Sequence, residues 1–273
     1  MSADADVAAW RDLPAGKHRI VCPDCARGPA DRTMGVTVWD DGSGVAHCFR
    51  CNFTANHRPE QAHASQRAGA SRIRPVTVPK HDTLSDYARN LWRDCRPLSG
   101  VALAYLNARR CRIPPVDGDL RWHDSVKHSP SGYTGPALVA RVTDIVTREP
   151  MSLHRTWIQA DGRKAGIDPP RLLLAGHRKQ GGVIRLWSGE AVTSGLGIAE
   201  GIETALSLAH AITPVWALID AGNLAQFPVL PGIEALTIAA DDDEAGMSAA
   251  NTCAQRYAAA GREAILTRGS HGT

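Results

Sequence analysis

An α/β carboxyl-terminal part, preceded by an α+β region and a small metal-held ribbon, is the fold class that this 273-residue sequence predicts. Three observations carry that expectation. From residue 189 onward, short apolar runs alternate with helix-patterned segments, as in a parallel sheet with crossover helices. Between about 81 and 188, two helical patterns are followed by several strand-like runs without such alternation. Near the amino terminus, Cys22-Pro-Asp-Cys25 and Cys48-Phe-Arg-Cys51 are two Cys-x2-Cys pairs at a spacing close to that of four-cysteine zinc ribbons.

The ribbon, residues 1–54, is legible in detail. Val36-Thr-Val-Trp39 alternates as a strand, Asp40-Asp-Gly-Ser-Gly44 reads as a hairpin turn, and Val45-Ala-His-Cys48 returns. Each cysteine pair forms a knuckle that aims two thiolates at one tetrahedral ion. Four thiolates leave no open position, so the zinc is structural. With no signal peptide and no apolar run long enough to span a membrane, the seven cysteines point to a reducing, cytoplasmic setting in which paired thiols bind metal. Cys95, Cys111 and Cys253 have no partner at ligand spacing and read as small buried side chains.

Residues 55–80, rich in Ala, Ser, Arg, Gln, His and Pro, read as a flexible linker with basic residues from Arg58 to Lys80. The region 81–188 opens with a helix whose capping-box-like start is Thr83 and Asp86, and whose apolar face is Leu84, Tyr87, Ala88, Leu91 and Trp92. A second helix is expected over Val101–Arg109. Strands are expected over Ala137–Ile145, Ser152–Ile158, Arg171–Leu174 and Val183–Trp187. Net charge is only +3, yet Arg155, Lys164, Arg171, Arg178, Lys179 and Arg185 crowd into this last stretch. Placed just before a cluster of carboxylates, they are the candidate contacts for nucleic acid or nucleotide phosphate. Most tryptophans, Trp39, Trp157, Trp187 and Trp216 among them, lie in strand patterns and read as core.

In 189–273, Leu196 and Ile198 mark a strand that ends at Glu200-Gly201. Ile202, Ala205, Leu206 and Ala209 then share one helix face. Val215–Ile219 ends in a turn-forming cluster at Asp220-Ala-Gly-Asn223. Leu236–Ala240 runs into Asp241-Asp242-Asp243, a helix follows from Glu244 to Ala260, closed by Gly261, and Ala264–Thr267 is the last strand. Right-handed crossovers then bring Glu200 and the aspartates to the same sheet edge. Carboxylates crowded there repel one another, an arrangement whose usual use is to hold a divalent cation on a phosphate.

Ile198-Ala-Glu-Gly-Ile-Glu-Thr-Ala-Leu206 and Ile238-Ala-Ala-Asp-Asp-Asp-Glu-Ala-Gly246 resemble the two signature motifs of the Toprim domain, a Rossmann-like fold shared by DnaG-type primases, topoisomerases, OLD-family nucleases and RecR-type proteins. Ala137–Asp144, His154–Trp157 and Gly181–Leu186 are similar to segments preceding Toprim domains in phage and plasmid primases. The resemblance makes Glu200, Asp241 and Asp243 the catalytic carboxylates that hold Mg2+ or Mn2+. Asp242 stands where the commonest pattern has glycine. The order of ribbon, linker, basic α+β region and Toprim domain resembles the primase half of such proteins. It implies a DNA primase that makes short RNA primers on single-stranded DNA from ribonucleoside triphosphates. No P-loop occurs, so a replicative helicase would be a partner on a separate chain, in a phage or plasmid replication module. The second reading is a non-catalytic DNA-binding protein similar to RecR. A topoisomerase is disfavoured because Tyr257 lies mid-helix rather than in a nucleophile's setting.

Overall fold

The alternation read between the cysteine pairs builds a four-stranded antiparallel sheet, seen in a computed structural model that describes residues 13–26, 28–51, 53–57 and 82–268. Its strands are β1 (Gly16–Ile20), β2 (Met34–Val38), β3 (Gly44–Cys48) and β4 (Thr54–His57), paired in that order. Met34, Val36, Val38, Ala46 and Cys48 point to one buried face. The hairpin turn closes as expected, with the Trp39 N–H donating to the Ser43 carbonyl at 2.9 Å and Gly42 at φ 75°. Two outer strands join those legible in the sequence, and β4 lies partly in the stretch whose composition reads as linker. From residue 58 that linker falls outside the described residues.

The chain divides into two compact units, 1–75 and 76–273. In the second, α1 (Asp86–Asp94) and α2 (Gly100–Ala108) precede an antiparallel group of strands. Its strands are β5 (Leu120–Lys127), β6 (Thr134–Asp144), β7 (Pro150–Trp157), β8 (Arg171–Leu173) and β9 (Gly182–Arg185). Helix α1 starts later than the Thr83 signal because Ser85 caps it, its hydroxyl accepting the Ala88 N–H at 3.4 Å.

Then come β10 (Gly195–Ala199), α3 (Ile202–Leu208), β11 (Val215–Ala217), α4 (Ala221–Gln226), β12 (Ala235–Ala240), α5 (Glu244–Ala259) and β13 (Glu263–Arg268). The turn-forming cluster at Asp220 is a short helix. Asp220 caps it by accepting the Asn223 N–H at 2.8 Å.

One nine-stranded sheet runs β13-β12-β10-β11-β9-β6-β7-β8, with β5 also on β6. Strands β11, β10, β12 and β13 are parallel, in the strand-helix alternation expected of them. β9 pairs antiparallel with both β11 and β6, so the parallel and antiparallel parts are continuous. One apolar core joins α2 and α3 to one face, and a second joins α4 and α5 to the other face of the parallel strands. Among the described residues, no helix is long and apolar enough to cross a membrane.

Candidate metal sites and the carboxylate edge

The four cysteine thiols converge. Their Sγ atoms lie within 4.8 Å of one another, with Cys22–Cys51 at 3.7 Å and Cys25–Cys48 at 3.5 Å. A tetrahedral ion with Zn–S bonds of ~2.3 Å requires S···S edges of ~3.8 Å, so the donor set and its spacing fit zinc. Burial opposes ionisation of Cys48, but N–H groups of Cys51 and Arg50 directed at its sulfur bring its pKa down to about 6. Cys95, Cys111 and Cys253 are buried and dispersed, as expected of packing residues.

At the carboxyl-terminal edge of the parallel strands, register sets the carboxylates side by side. Ala199 of β10 is flanked by Ala217 of β11 and Ala239 of β12. Glu200 therefore leaves one strand beside Asp241, which follows its neighbour, with Asp220 beyond the third. Burial, then the charges of Asp241, Asp243 and Asp220, push Glu200 up to about 7. Among the described residues, the thiols are the metal-ligating group whose donor atoms have converged. Hard carboxylate oxygens and this density of negative charge fit Mg2+ or Mn2+, with Glu200, Asp241 and Asp243 as the residues that would hold it.

Two of these groups have local duties. The Thr204 hydroxyl donates to Asp241 Oδ1 at 3.0 Å, fixing that carboxylate from α3. Asp243 is the N-cap of α5, accepting the Gly246 N–H at 2.7 Å. Asp242 is exposed.

The basic residues separate into three groups. Arg155 and Arg185 are buried, 4 % and 6 % exposed, which corrects their expected role as surface contacts for nucleic acid. Arg155 donates to the Leu173 carbonyl at 3.2 Å and lies over the Trp157 ring. Arg185 bonds to Thr143 and to the carbonyls of Asp144 and Ile145, and lies over Trp216. Arg178 and Lys179 are tied down by acids: Arg178 by Asp144 at 2.7 Å and Asp82 at 3.3 Å, Lys179 by Asp220 at 2.5 Å.

Lys164 and Arg171 lie near Glu203. Lys164 Nζ lies 3.4 Å from Glu203 Oε1. The positive charge of the exposed Arg171 opposes the rise at Glu200 and adds to the lowering at Glu203.

Sequence reasoning missed Glu203, in the first turn of α3 and three residues beyond Glu200, and the residues around it. Tyr105 in α2 donates its hydroxyl to Glu203 Oε1 at 2.7 Å. Despite burial, Lys164 and this hydrogen bond hold Glu203 down at about 2. His154 on β7 feels the charges of Glu203, Arg171 and Lys164. Burial takes its pKa down to about 4, and among the described residues its Nδ1 has no hydrogen-bond partner. Glu203 follows Glu200 at i+3, a signal that was available. Tyr105 gives none, since it lies far away along the chain, and His154 falls in a segment similar to those of primases but with no role attached to it.

Residues 82–186 match the model of a domain of unknown function (DUF7146), and residues 195–273 match the Toprim domain. No curated protein matches the chain. Among solved structures, the chain is similar to the primase fragment of the bacteriophage T7 primase-helicase protein, at 15% identity and a TM-score of 0.41, covering 91% of this chain and 88% of that one. It is also similar to the DnaG catalytic core, at 13% identity and a TM-score of 0.42, covering 69% of this chain and 71% of that one. A DNA primase domain from Pseudomonas aeruginosa matches 55% of this chain and 49% of its own, at 13% identity and a TM-score of 0.36. With Glu200 closing one parallel strand, the Asp241-Asp242-Asp243 run closing its neighbour, and the family model spanning both motifs, the carboxyl-terminal part of this chain is a Toprim domain.

Proposed function

We propose that the chain is a DNA primase, a nucleotidyltransferase that joins ribonucleoside triphosphates into short primers on single-stranded DNA. The observation that carries this reading is the carboxylate edge of Glu200, Asp241 and Asp243, with the charge of Arg171 felt at Glu200 and Lys164 paired to Glu203 three residues on. Acids there suit a divalent cation, and cations there suit the phosphates of a nucleotide. When bound, Mg2+ or Mn2+ would orient the triphosphate and offset charge on the attacking and leaving oxygens. Thr204 keeps Asp241 aimed, α5 keeps Asp243 in place, and Lys164 and Arg171 add positive charge where phosphate oxygens would lie. The four-cysteine unit would hold template. A replicative helicase on a separate chain, a phage or plasmid replication module and a cytoplasmic location belong to the same reading.

Labelled ribonucleotides incubated with single-stranded DNA and Mg2+ or Mn2+ test it. Short labelled products are expected from the wild-type chain and none from Glu200→Gln or Asp241→Asn, with DNA binding near normal in both. DNA binding without synthesis by the wild type would overturn the primase reading in favour of a non-catalytic, RecR-like DNA-binding protein.

A further inference from the structure

Lys164 is pinned from several sides, more than a surface lysine requires. It closes a tight hairpin after β7, in which the Gln159 N–H donates to the Arg163 carbonyl at 2.8 Å and Ile158 bridges to Lys164. The tip of that hairpin, Gly162 at φ 85°, abuts the end of α2. A Cβ on Gly162 would come within 2.7 Å of Ala108 Cβ, and Arg109 donates to the Gly162 carbonyl at 3.3 Å. The Lys164 ammonium is then met by Glu203, whose other partner is the fully buried Tyr105, from the same helix α2. One helix thus fixes both the loop that carries the lysine and the carboxylate that receives it.

Stability alone does not account for this arrangement. The Lys164–Glu203 pair stabilises the fold, but a partly exposed ion pair does not require the loop of its lysine to be anchored as well. Glu203 also stands in the first turn of α3, only three residues after Glu200. A positional use accounts for both facts: a lysine kept in one place needs no reordering when a phosphate arrives.

We propose that Tyr105 and Glu203 are positioning residues that hold Lys164 in readiness for the phosphates of an incoming nucleoside triphosphate. This rests on the nucleotidyl-transfer reading of the carboxylate edge. The assignment concerns binding of the triphosphate, so it is measured without polymerisation.

The experiment is equilibrium binding of a non-hydrolysable ribonucleoside triphosphate, in the presence of Mg2+, to the full chain and to Tyr105→Phe, Glu203→Gln, Lys164→Ala and the Tyr105→Phe/Lys164→Ala double variant. Thermal melting is recorded in parallel, and KM and kcat wherever primers form. Each single variant is expected to weaken triphosphate binding about tenfold, the scale of a lost charge-assisted contact. KM should rise with kcat little changed. The double variant should bind no more weakly than Lys164→Ala, because both substitutions act through the same ammonium. Tyr105→Phe that lowers the melting temperature but leaves affinity unchanged would make the contact structural and overturn the proposal. So would independent, additive losses in the double variant, or a wild-type chain that binds no triphosphate. A wild-type chain that binds the triphosphate but makes no primer would sink the primase reading and leave the positioning test standing.

Discussion

Gly246→Ala tests whether the first turn of α5 is seated directly on the carboxylate edge. A Cβ at Gly246 would lie 2.9 Å from the Asp241 carbonyl oxygen and 3.3 Å from the Asp241 Cβ. Ordinary contact begins near 3.4 Å, so the helix start and the end of β12 must separate by roughly half an ångström. The obstacle is backbone, with no flexible side-chain tip to swing away. Two effects compete. Alanine is favoured over glycine in a helix by up to ~1 kcal/mol, whereas overpacking a tight contact costs ~1–3 kcal/mol. Sterics win, for a net loss of ~1–2 kcal/mol, which in a folding unit of this size lowers Tm by roughly 3–6 °C.

The activity effect should exceed the stability effect, because the displaced atoms carry Asp241 and, through the cap at Gly246, Asp243. Melting followed by circular dichroism, beside primer synthesis at a temperature where the variant is fully folded, measures both. Gly166→Ala is the control, since nothing lies within 4 Å of its added Cβ. A Gly246→Ala chain that melts at or above the wild type with full synthesis would refute the reasoning.

Metal analysis of the purified chain should find one zinc held by Cys22, Cys25, Cys48 and Cys51. Cys22→Ser with Cys48→Ser should lose it and unfold the amino-terminal unit, because binding energy in such sites is folding energy. The Glu203 pKa falls from its ordinary 4.5 to about 2 on folding, so the unfolded chain takes up this proton first. Glu203 therefore contributes roughly 3 kcal/mol above pH 4.5 that fades as pH drops toward 2. Urea denaturation should show the stability gap between the wild type and Glu203→Gln shrinking from pH 5 to pH 3, and a gap constant over that range would refute the assignment. Arg185→Ala should destabilise by about 2–4 kcal/mol, leaving buried acceptors unpaired. Arg171→Ala should leave denaturation within about 0.5 kcal/mol of wild type while weakening nucleotide and single-stranded DNA binding most at low salt.

The features that were legible in sequence are those set by local chemistry. Glu200 and Asp241 stand at the ends of apolar runs bounded by a turn and a helix start, so their meeting at one edge follows from alternation and handedness alone. The cysteine knuckles are likewise local, and β2 and β3 alternate cleanly. β5 escaped notice because Leu120–Lys127 mixes polar and apolar residues and shifts register between His123 and Val126, which blurs its period. The burial of Arg155 and Arg185 escaped the sequence for another reason. Composition counts charges but does not say which face of a strand carries them: on β7, Arg155 belongs to the buried side near Trp157, while His154 next to it senses Glu203. The pairs around Glu203 join residues remote along the chain, and no periodicity encodes them.

Sequence families meet in the interval between residues 186 and 195, but the backbone hydrogen bonds cross that interval without a break. Strand β9 lies on the amino-terminal side and lends its edge to β11 on the other, pairing Arg185 with Trp216 and Ile184 with Ala217. Cutting the gene at the family boundary would strip β11 of this neighbour and bare a row of unpaired amides beside Trp216, an invitation to self-association. The two halves match separate family models and share a joint fate in folding. Excision, domain shuffling or fragment complementation should succeed only when β9 travels with the carboxyl-terminal piece.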